Sequence, residues 1–453
     1  MITKTRSIIP ATPTFWERIN WTWAHTFLSV SYIAGLLLIV PGLGGFRPVV
    51  RTIGYAFSLY LLYKFKDGRN RYLAYDAARA IMVIFLLELC LHPYNNSVAS
   101  ASAETVFALA ILGTVFWVPQ VNLRKVGFES MMMISWIFQT SSAFFGVLQV
   151  LYPGKFMPPI SEVIANSAFG VDALSIVLSN GTKMIRPPGL TDYPGGAGAA
   201  GYTAFVIGIV IFLRYKNPLV KGLSLSSCLI GLFCMYLSEI RSLLVLSVVT
   251  VLFLGFVLFK NGQFARSLTV WVGSGALFFV TFTWAIIVGG QRTLRRIMSL
   301  FAGSATDVYQ QHRGGFLTVT IDALPQYPLG AGLGRWGMMN YFFGDWSNST
   351  APSLWVEIQW TGWLYDGGIP LILAYSYAII TALLGTFKIA GDRKMGDFSL
   401  WAALIFGLGM GTIISLFSYP IFASGGGLEF WLFNTALWTA ATNQEDSLVL
   451  TQK

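Results

Sequence analysis

Apolar runs recur along the chain with polar breaks between them. Twelve can be counted, over 26–42, 48–63, 79–92, 104–119, 131–151, 197–213, 221–238, 242–259, 267–289, 369–387, 398–419 and 427–442. An upright helix needs ~20 residues to cross a bilayer. Several runs are shorter, which predicts soft boundaries and one or two broken helices. Helix is the structure open to such runs, because lipid offers no partner to an exposed backbone group. A barrel would alternate apolar and polar residues, and these runs do not. The pattern predicts an all-α polytopic membrane protein with about 12 transmembrane helices, forming a single integral domain over 1–453. Two breaks are long: a first external loop over 152–196, and a second over 290–368 that has room for short helices.

The charges in the short breaks suggest an orientation. With Lys4, Arg6 and Arg18 placed in the cytoplasm, the loops at 64–71, 122–125, 214–221, 260–266 and 388–394 fall on the same side, and each carries Lys or Arg. The opposite loops at 93–103 and 420–428 carry neither, while Arg47 and Arg51 are an exception. Both termini are therefore expected on the cytoplasmic side.

Composition agrees with this pattern. The chain is 55% hydrophobic and only 11% charged, where a soluble chain carries roughly a quarter charged residues. Its net charge of +10 is topological, because no basic run interleaved with aromatics marks a nucleic-acid surface. Cys90, Cys228 and Cys234 lie in apolar stretches and read as core packing. The first 23 residues lack the short apolar core and cleavage site of a signal peptide.

The chemistry concentrates in arginines on the side where arginine should be scarce. Arg186 lies in the first long loop, Arg241 lies between two spans, and Arg292, Arg295, Arg296, Arg313 and Arg335 lie in the second long loop. Each alone reads as a solvated loop residue. Together their planar donor forks suit a lipid-linked diphosphate. Arg241 is read either as the turn between two short helices or as a cation lining a membrane cavity. Glu357, in an apolar stretch, is either an ion-paired carboxylate or a general base. His312 and Asp366 are weaker candidates, and Asp366 is adequately explained as a helix N-cap. The glycines of 330–334 read as a turn, and those of 194–201 and 407–411 as close helix packing. No Asp-x-Asp, His-x-His or His-x-x-x-His pattern suggests a metal site.

Four segments carry a resemblance: RPPGLTDYPGGAG (186–198), LSEIRSLLVLSVV (237–249), HRGGFLTVTIDALPQYPLGAGLGRWG (312–337) and WVEIQWTGWLYDGGIPLIL (355–373). In order and placement they resemble the O-antigen ligase and polymerase superfamily, glycosyltransferases of the bacterial inner membrane with a GT-C-like fold. The resemblance covers roughly 180–390. It implies transfer of a glycan from undecaprenyl diphosphate to an acceptor hydroxyl on the external face, in O-antigen or exopolysaccharide biosynthesis. It implies inversion at the anomeric carbon and neither metal nor cofactor. Arg186 and Arg313 match the family's diphosphate-holding arginines and Arg241 the arginine of its junction motif, so the resemblance makes all three candidates for binding the diphosphate. Many ligases of the family carry a His-Asn pair near the position of Glu357. This chain has no histidine there, which favours a polymerase with Glu357 as base, assisted by Arg313. The implied partners are the lipid-linked oligosaccharide, its glycan acceptor, membrane lipids, and flippase and chain-length regulator proteins. The alternatives are a ligase to a lipid or protein acceptor, a transporter or flippase of lipid-linked glycan, and a non-catalytic envelope subunit.

Overall fold

The computed structural model describes residues 20–40, 42–43, 46–152, 155–158, 175–177, 183–298, 309–310 and 314–450. Every apolar run is helical. The helices are α1 (Trp23–Leu38), α2 (Arg47–Lys64), α3 (Tyr75–Leu91), α4 (Val98–Trp117), α5 (Lys125–Leu151), α6 (Gly196–Arg214), α7 (Pro218–Leu237), α8 (Arg241–Lys260) and α9 (Phe264–Met298). Two short helices follow, α10 (Gly315–Ala323) and α11 (Gly337–Phe343). The last three are α12 (Gln359–Gly391), α13 (Phe398–Ser415) and α14 (Gly425–Leu450). Antiparallel strands β1 (Ser175–Val177) and β2 (Lys183–Ile185) form the described sheet, with Ile176 opposite Met184.

Among the described residues, eight helices are long and apolar enough to cross a membrane: α4 to α9, α12 and α13. The other four runs are shorter or carry charges near their ends. α1 has 16 residues, while α2 contains Arg47 and Arg51, α3 contains Asp76 and Glu88, and α14 ends in a polar stretch. The protein is an all-α multi-pass membrane protein.

The long-range contacts fall at two ends of the bundle. At one end Lys64 Nζ lies 3.6 Å from the Trp23 ring centroid, and Asn70 and Gln120 bond each other's segments. There too His25 Nε2 meets Gly127 O at 2.9 Å, and Arg214 pairs with Glu129 and Asp397 at 3.2 and 3.0 Å. Asn261 reaches Ala390 O, and Asn443 reaches Leu123 O. At the other end Arg51 pairs with Asp192, Asn96 N donates to Leu333 O, and Gln359 N donates to Leu416 O. Following the chain, successive long helices run alternately between these ends. The Lys- and Arg-bearing breaks gather at the first, here the basic end; the two long loops lie at the second, the loop end.

Small residues let the helices approach closely. A Cβ on Gly201 would stand 2.5 Å from Gly231 O, and one on Gly231 would stand 2.4 Å from Gly201 O, so α6 and α7 touch backbone to backbone. On α13, Gly407 lies close to the backbone of Thr250 and Gly411 makes room for the hydroxyls of Tyr202 and Thr250. Trp117, Trp363, Trp401 and Trp431 fill the interior. Cys228 and Cys234 are buried there, whereas Cys90 faces outward from α3.

The expectation of broken helices holds at two places, Gly290 in α9 and Gly367–Gly368 in α12. The second break corrects the reading of Asp366. The N-cap of α12 is Ile358, and Asp366 lies inside the helix, just before the break. From sequence alone the glycine pair looked like a helix start, which made its neighbour look like a cap.

Candidate functional site

The loop end contains two polar assemblies. The first forms around the break in α12. Breaking a helix frees backbone groups that need new partners. Here the turn at 328–331 supplies them: Ile369 N donates to Pro328 O at 2.9 Å, and Ala331 N donates to Tyr365 O at 2.7 Å. The turn needs glycine at Gly334, where φ is +72° and a Cβ would stand 2.1 Å from Ser100 Oγ. Gly334 N then donates to Glu104 Oε2 of α4, and Trp336 Nε1 donates to Asp366 Oδ1. Glu104 and Asp366 hydrogen-bond each other. A bond between two carboxyl groups requires that one of them hold the proton. Arg335 is buried beside them, its guanidinium donating to Pro352 O at 2.9 Å and Ala331 O at 2.7 Å. Asn96 donates to Asp345 O and Ala351 O and so draws the 345–351 segment onto α4. These groups serve one another, and the assembly is a fastening that holds the second long loop in place.

The second assembly lies around the segment 186–195. Gln149 of α5 clamps it by donating to Gly189 O at 2.9 Å and accepting from Gly189 N at 2.8 Å. Gly195 N donates to Arg186 O at 3.4 Å. The segment packs on the junction between α7 and α8, since a Cβ on Gly195 would meet Ile240 Cδ1 and one on Gly198 would meet Ser238. The segment of Arg186 and the junction of Arg241 are therefore neighbours. That junction is a tight turn over 238–240, with Arg241 as the half-buried first residue of α8. Glu239 is buried there at φ +53°. A non-glycine residue in that region is strained, and such strain clusters at functional sites. The exceptional Arg51 is explained as well: its guanidinium pairs with Asp192, which is 4% exposed.

Two partly exposed phenols also lie at the loop end. Tyr193 keeps 63% of its surface accessible, yet burial raises its phenol above the ordinary value while Arg186 pulls it down. Tyr419, 38% exposed on the loop between α13 and α14, is raised more strongly by burial and then by Tyr193, Tyr202 and Glu429. Glu429 stands about 6 Å down α14 from its first residue. It is half-buried, and it lies within electrostatic reach of Tyr419, of Tyr55 on α2 and of Tyr32 on α1. Among the described residues Glu429 has no hydrogen-bond or ion-pair partner.

The residues singled out from sequence thus separate. The segment of Arg186 and the junction of Arg241 are neighbours. Arg335 and Asp366 belong to the fastening. Glu357 is half-buried just ahead of α12 and is engaged by a neighbouring group. The helix it precedes packs on the loop after α13, where Trp360 and Phe417 have ring centroids 5.7 Å apart. Tyr309 also donates to Phe417 O. Arg313 and His312 lie outside the described residues, as do the side chains of Arg292 and Arg296. Sequence reasoning passed over Glu429, Tyr193 and Tyr419. The available signal was an acid inside an apolar run, GGGLEFWLF, since an ionisable residue within a span marks function by default.

Among the described residues no group of three or more His, Cys, Asp or Glu side chains could hold a metal ion. The chain matches no protein-family model and no curated protein sequence.

Proposed function

We propose that this protein is a membrane glycosyltransferase that polymerises glycan units carried on undecaprenyl diphosphate. The observation that carries the reading is the adjacency, at the end away from the basic loops, of the Arg186 segment and the Arg241 junction. By the positive-inside rule the basic end is cytoplasmic and the loop end external, in a bacterial inner membrane. In this reading Arg186, Arg241 and Arg313 bind the diphosphate and stabilise the charge that grows on the leaving oxygen. The acceptor hydroxyl attacks the anomeric carbon of the donor sugar, and the bond to the diphosphate oxygen breaks. The lipid diphosphate leaves with the bonding pair, and Glu357 takes the hydroxyl proton. Displacement from the opposite face inverts the centre.

A second reading, transport or flipping of the lipid-linked glycan, is favoured by one specific feature. Polar and ionisable groups also lie within the helices themselves, Glu429 in α14, Tyr55 in α2 and Tyr32 in α1, and Tyr32 Oη meets Ser135 Oγ of α5 at 2.8 Å. Polar residues along a path inside a bundle suit a translocation route.

The deciding experiment is the state of the lipid-linked glycan in cells lacking the protein. Externally exposed single repeats would establish a polymerase. Finished long chains would point to a ligase, and repeats confined to the cytoplasmic face to a flippase. An unchanged pool would refute the glycosyltransferase reading for that glycan.

A further inference from the structure

We propose that a cavity at the basic end of the bundle binds the headgroup of an anionic phospholipid, drawn from the leaflet that meets that end. The site is independent of the glycosyltransferase reading and lies at the opposite end from Arg186 and Arg241.

The cavity has a volume of about 250 Å³ and lies between two turns of the chain. The turn from α8 into α9 contributes Asn261, Gln263 and Arg266. The turn from α12 into α13 contributes Asp392, Arg393 and Asp397. Direct contacts join the two walls. Asn261 Nδ2 donates to Ala390 O at 2.6 Å, and Arg266 Nη1 donates to Asp397 Oδ1 at 3.0 Å. Lys260 Nζ, at the end of α8, lies 4.6 Å from the ring centroid of Phe387 on α12.

The donors and acceptors of the lining set the charge of the ligand. Its acids are already answered by the protein. Asp397 accepts from Arg266 through one oxygen and from Arg214 through the other, both at 3.0 Å. Asp392 Oδ1 accepts from Lys394 N at 2.9 Å. The donors are in surplus. A guanidinium carries five N–H groups. Arg393 is exposed, and among the described residues it has no hydrogen-bond or ion-pair partner. Arg266 uses Nη1 alone, on Gln263 and Asp397. Lys394 follows Arg393 in the same short turn. A metal cation would meet two guanidinium groups and no carboxylate that lacks a protein donor. A phosphodiester brings the acceptor oxygens and the negative charge that the arginine forks match.

The surroundings select a lipid over a soluble anion. Phe264 stands between Gln263 and Arg266 in the chain and is exposed, as are Phe259 and, one turn further along α9, Leu268. The Phe259 and Phe264 ring centroids are 6.1 Å apart. An exposed apolar patch at the end of two membrane-crossing helices suits acyl chains. A phospholipid whose phosphate sits on Arg266 and Arg393 can lay its chains on these rings without leaving the bilayer, and basic pockets between spans take such headgroups. Free phosphate has no use for the rings.

The test is native mass spectrometry of the purified chain, released from micelles holding equal amounts of phosphatidylglycerol and phosphatidylcholine with matched acyl chains. The native chain should retain phosphatidylglycerol over phosphatidylcholine by about fivefold, the scale of one arginine at an anionic lipid surface. Arg393→Ala should bring the ratio to within about twofold of parity. Arg393→Lys, which keeps the charge and loses the fork, should fall between. Arg69→Ala removes an exposed charge from a different basic loop at the same end and should leave the native ratio. Added inorganic phosphate, at millimolar concentration, should leave it as well. A native chain without preference, or an Arg393→Ala chain that keeps it, overturns the site. Equal losses in Arg69→Ala and Arg393→Ala would trace the preference to diffuse surface charge and overturn it too. Displacement of the lipid by inorganic phosphate would overturn the lipid assignment in favour of a soluble anion.

Discussion

Two groups of carboxylates at the loop end are built in opposite ways. Glu104 and Asp366 are buried and answered on every side: by Gly334 N, by the Trp336 indole and by each other. Glu429, in the early turns of α14, is only half-buried and, among the described residues, has no hydrogen-bond or ion-pair partner. Burial of a polar group costs stability unless its hydrogen bonds are made. The first group meets that condition within the protein, and its role ends with the protein. The second leaves the condition open among the described residues. The acid worth testing for function is thus the one left unsatisfied, and the deeper, more crowded pair is architecture.

The difference can be broken most forcefully at the fastening. Glu104→Ala removes the acceptor of Gly334 N, strands Asp366 and opens a cavity beside α12. The expected loss is about 3 kcal/mol of stability, seen as a lowered thermal unfolding midpoint in detergent. A midpoint unchanged by Glu104→Ala would mean that the pair is not a fastening. Gly334→Ala should follow at about 2 kcal/mol, since it imposes a side chain at φ +72° against Ser100 and the backbone of Ala101. The added signature would be faster proteolysis within the second long loop.

In the first long loop the expected effect is smaller. Asp192→Ala removes the partner of Arg51, a residue that still reaches solvent at 23% exposure. A partly hydrated pair of this kind contributes about 1 kcal/mol. Its local effect should exceed its global one: hydrogen exchange around 186–195 should quicken while the unfolding midpoint barely moves. Equal exchange in variant and native chain would show that the Gln149 clamp suffices alone.

Much of the bundle was legible because lipid imposes it. The length of a span and the ban on unpaired backbone leave a plain record in the apolar runs, and the basic loops sort to one end as their alternation required. Arg186 and Arg241 were legible as anomalies, cations on the side where cations are scarce. Asp366 was misread because a mid-helix break over Gly367–Gly368 looks, in one dimension, like a helix beginning. Glu429 was passed over for a different reason. Its standing depends on which donors the folded bundle brings within reach, and among the described residues it has no hydrogen-bond or ion-pair partner. No spacing along the chain records that.

The comparison is sharpest where the expected stability change is smallest. Glu429→Gln keeps the shape of the side chain and removes its charge. Were Glu429 a structural acid like Glu104, the change would weaken the fold, because a charged acceptor would be lost from a made bond. For a carboxylate with no protein donor the sign differs. Removing a desolvated charge should leave the unfolding midpoint within about 0.5 kcal/mol of native, or raise it slightly, as is common where function holds a strained or unsatisfied group in place. Glycan transfer by the same variant should fall by tenfold or more, with Glu429→Asp restoring part of it. A variant that unfolds early and loses activity in proportion would class Glu429 with the fastening. One that keeps its midpoint and loses the glycan would separate the two acids by role, as their partners already separate them by geometry.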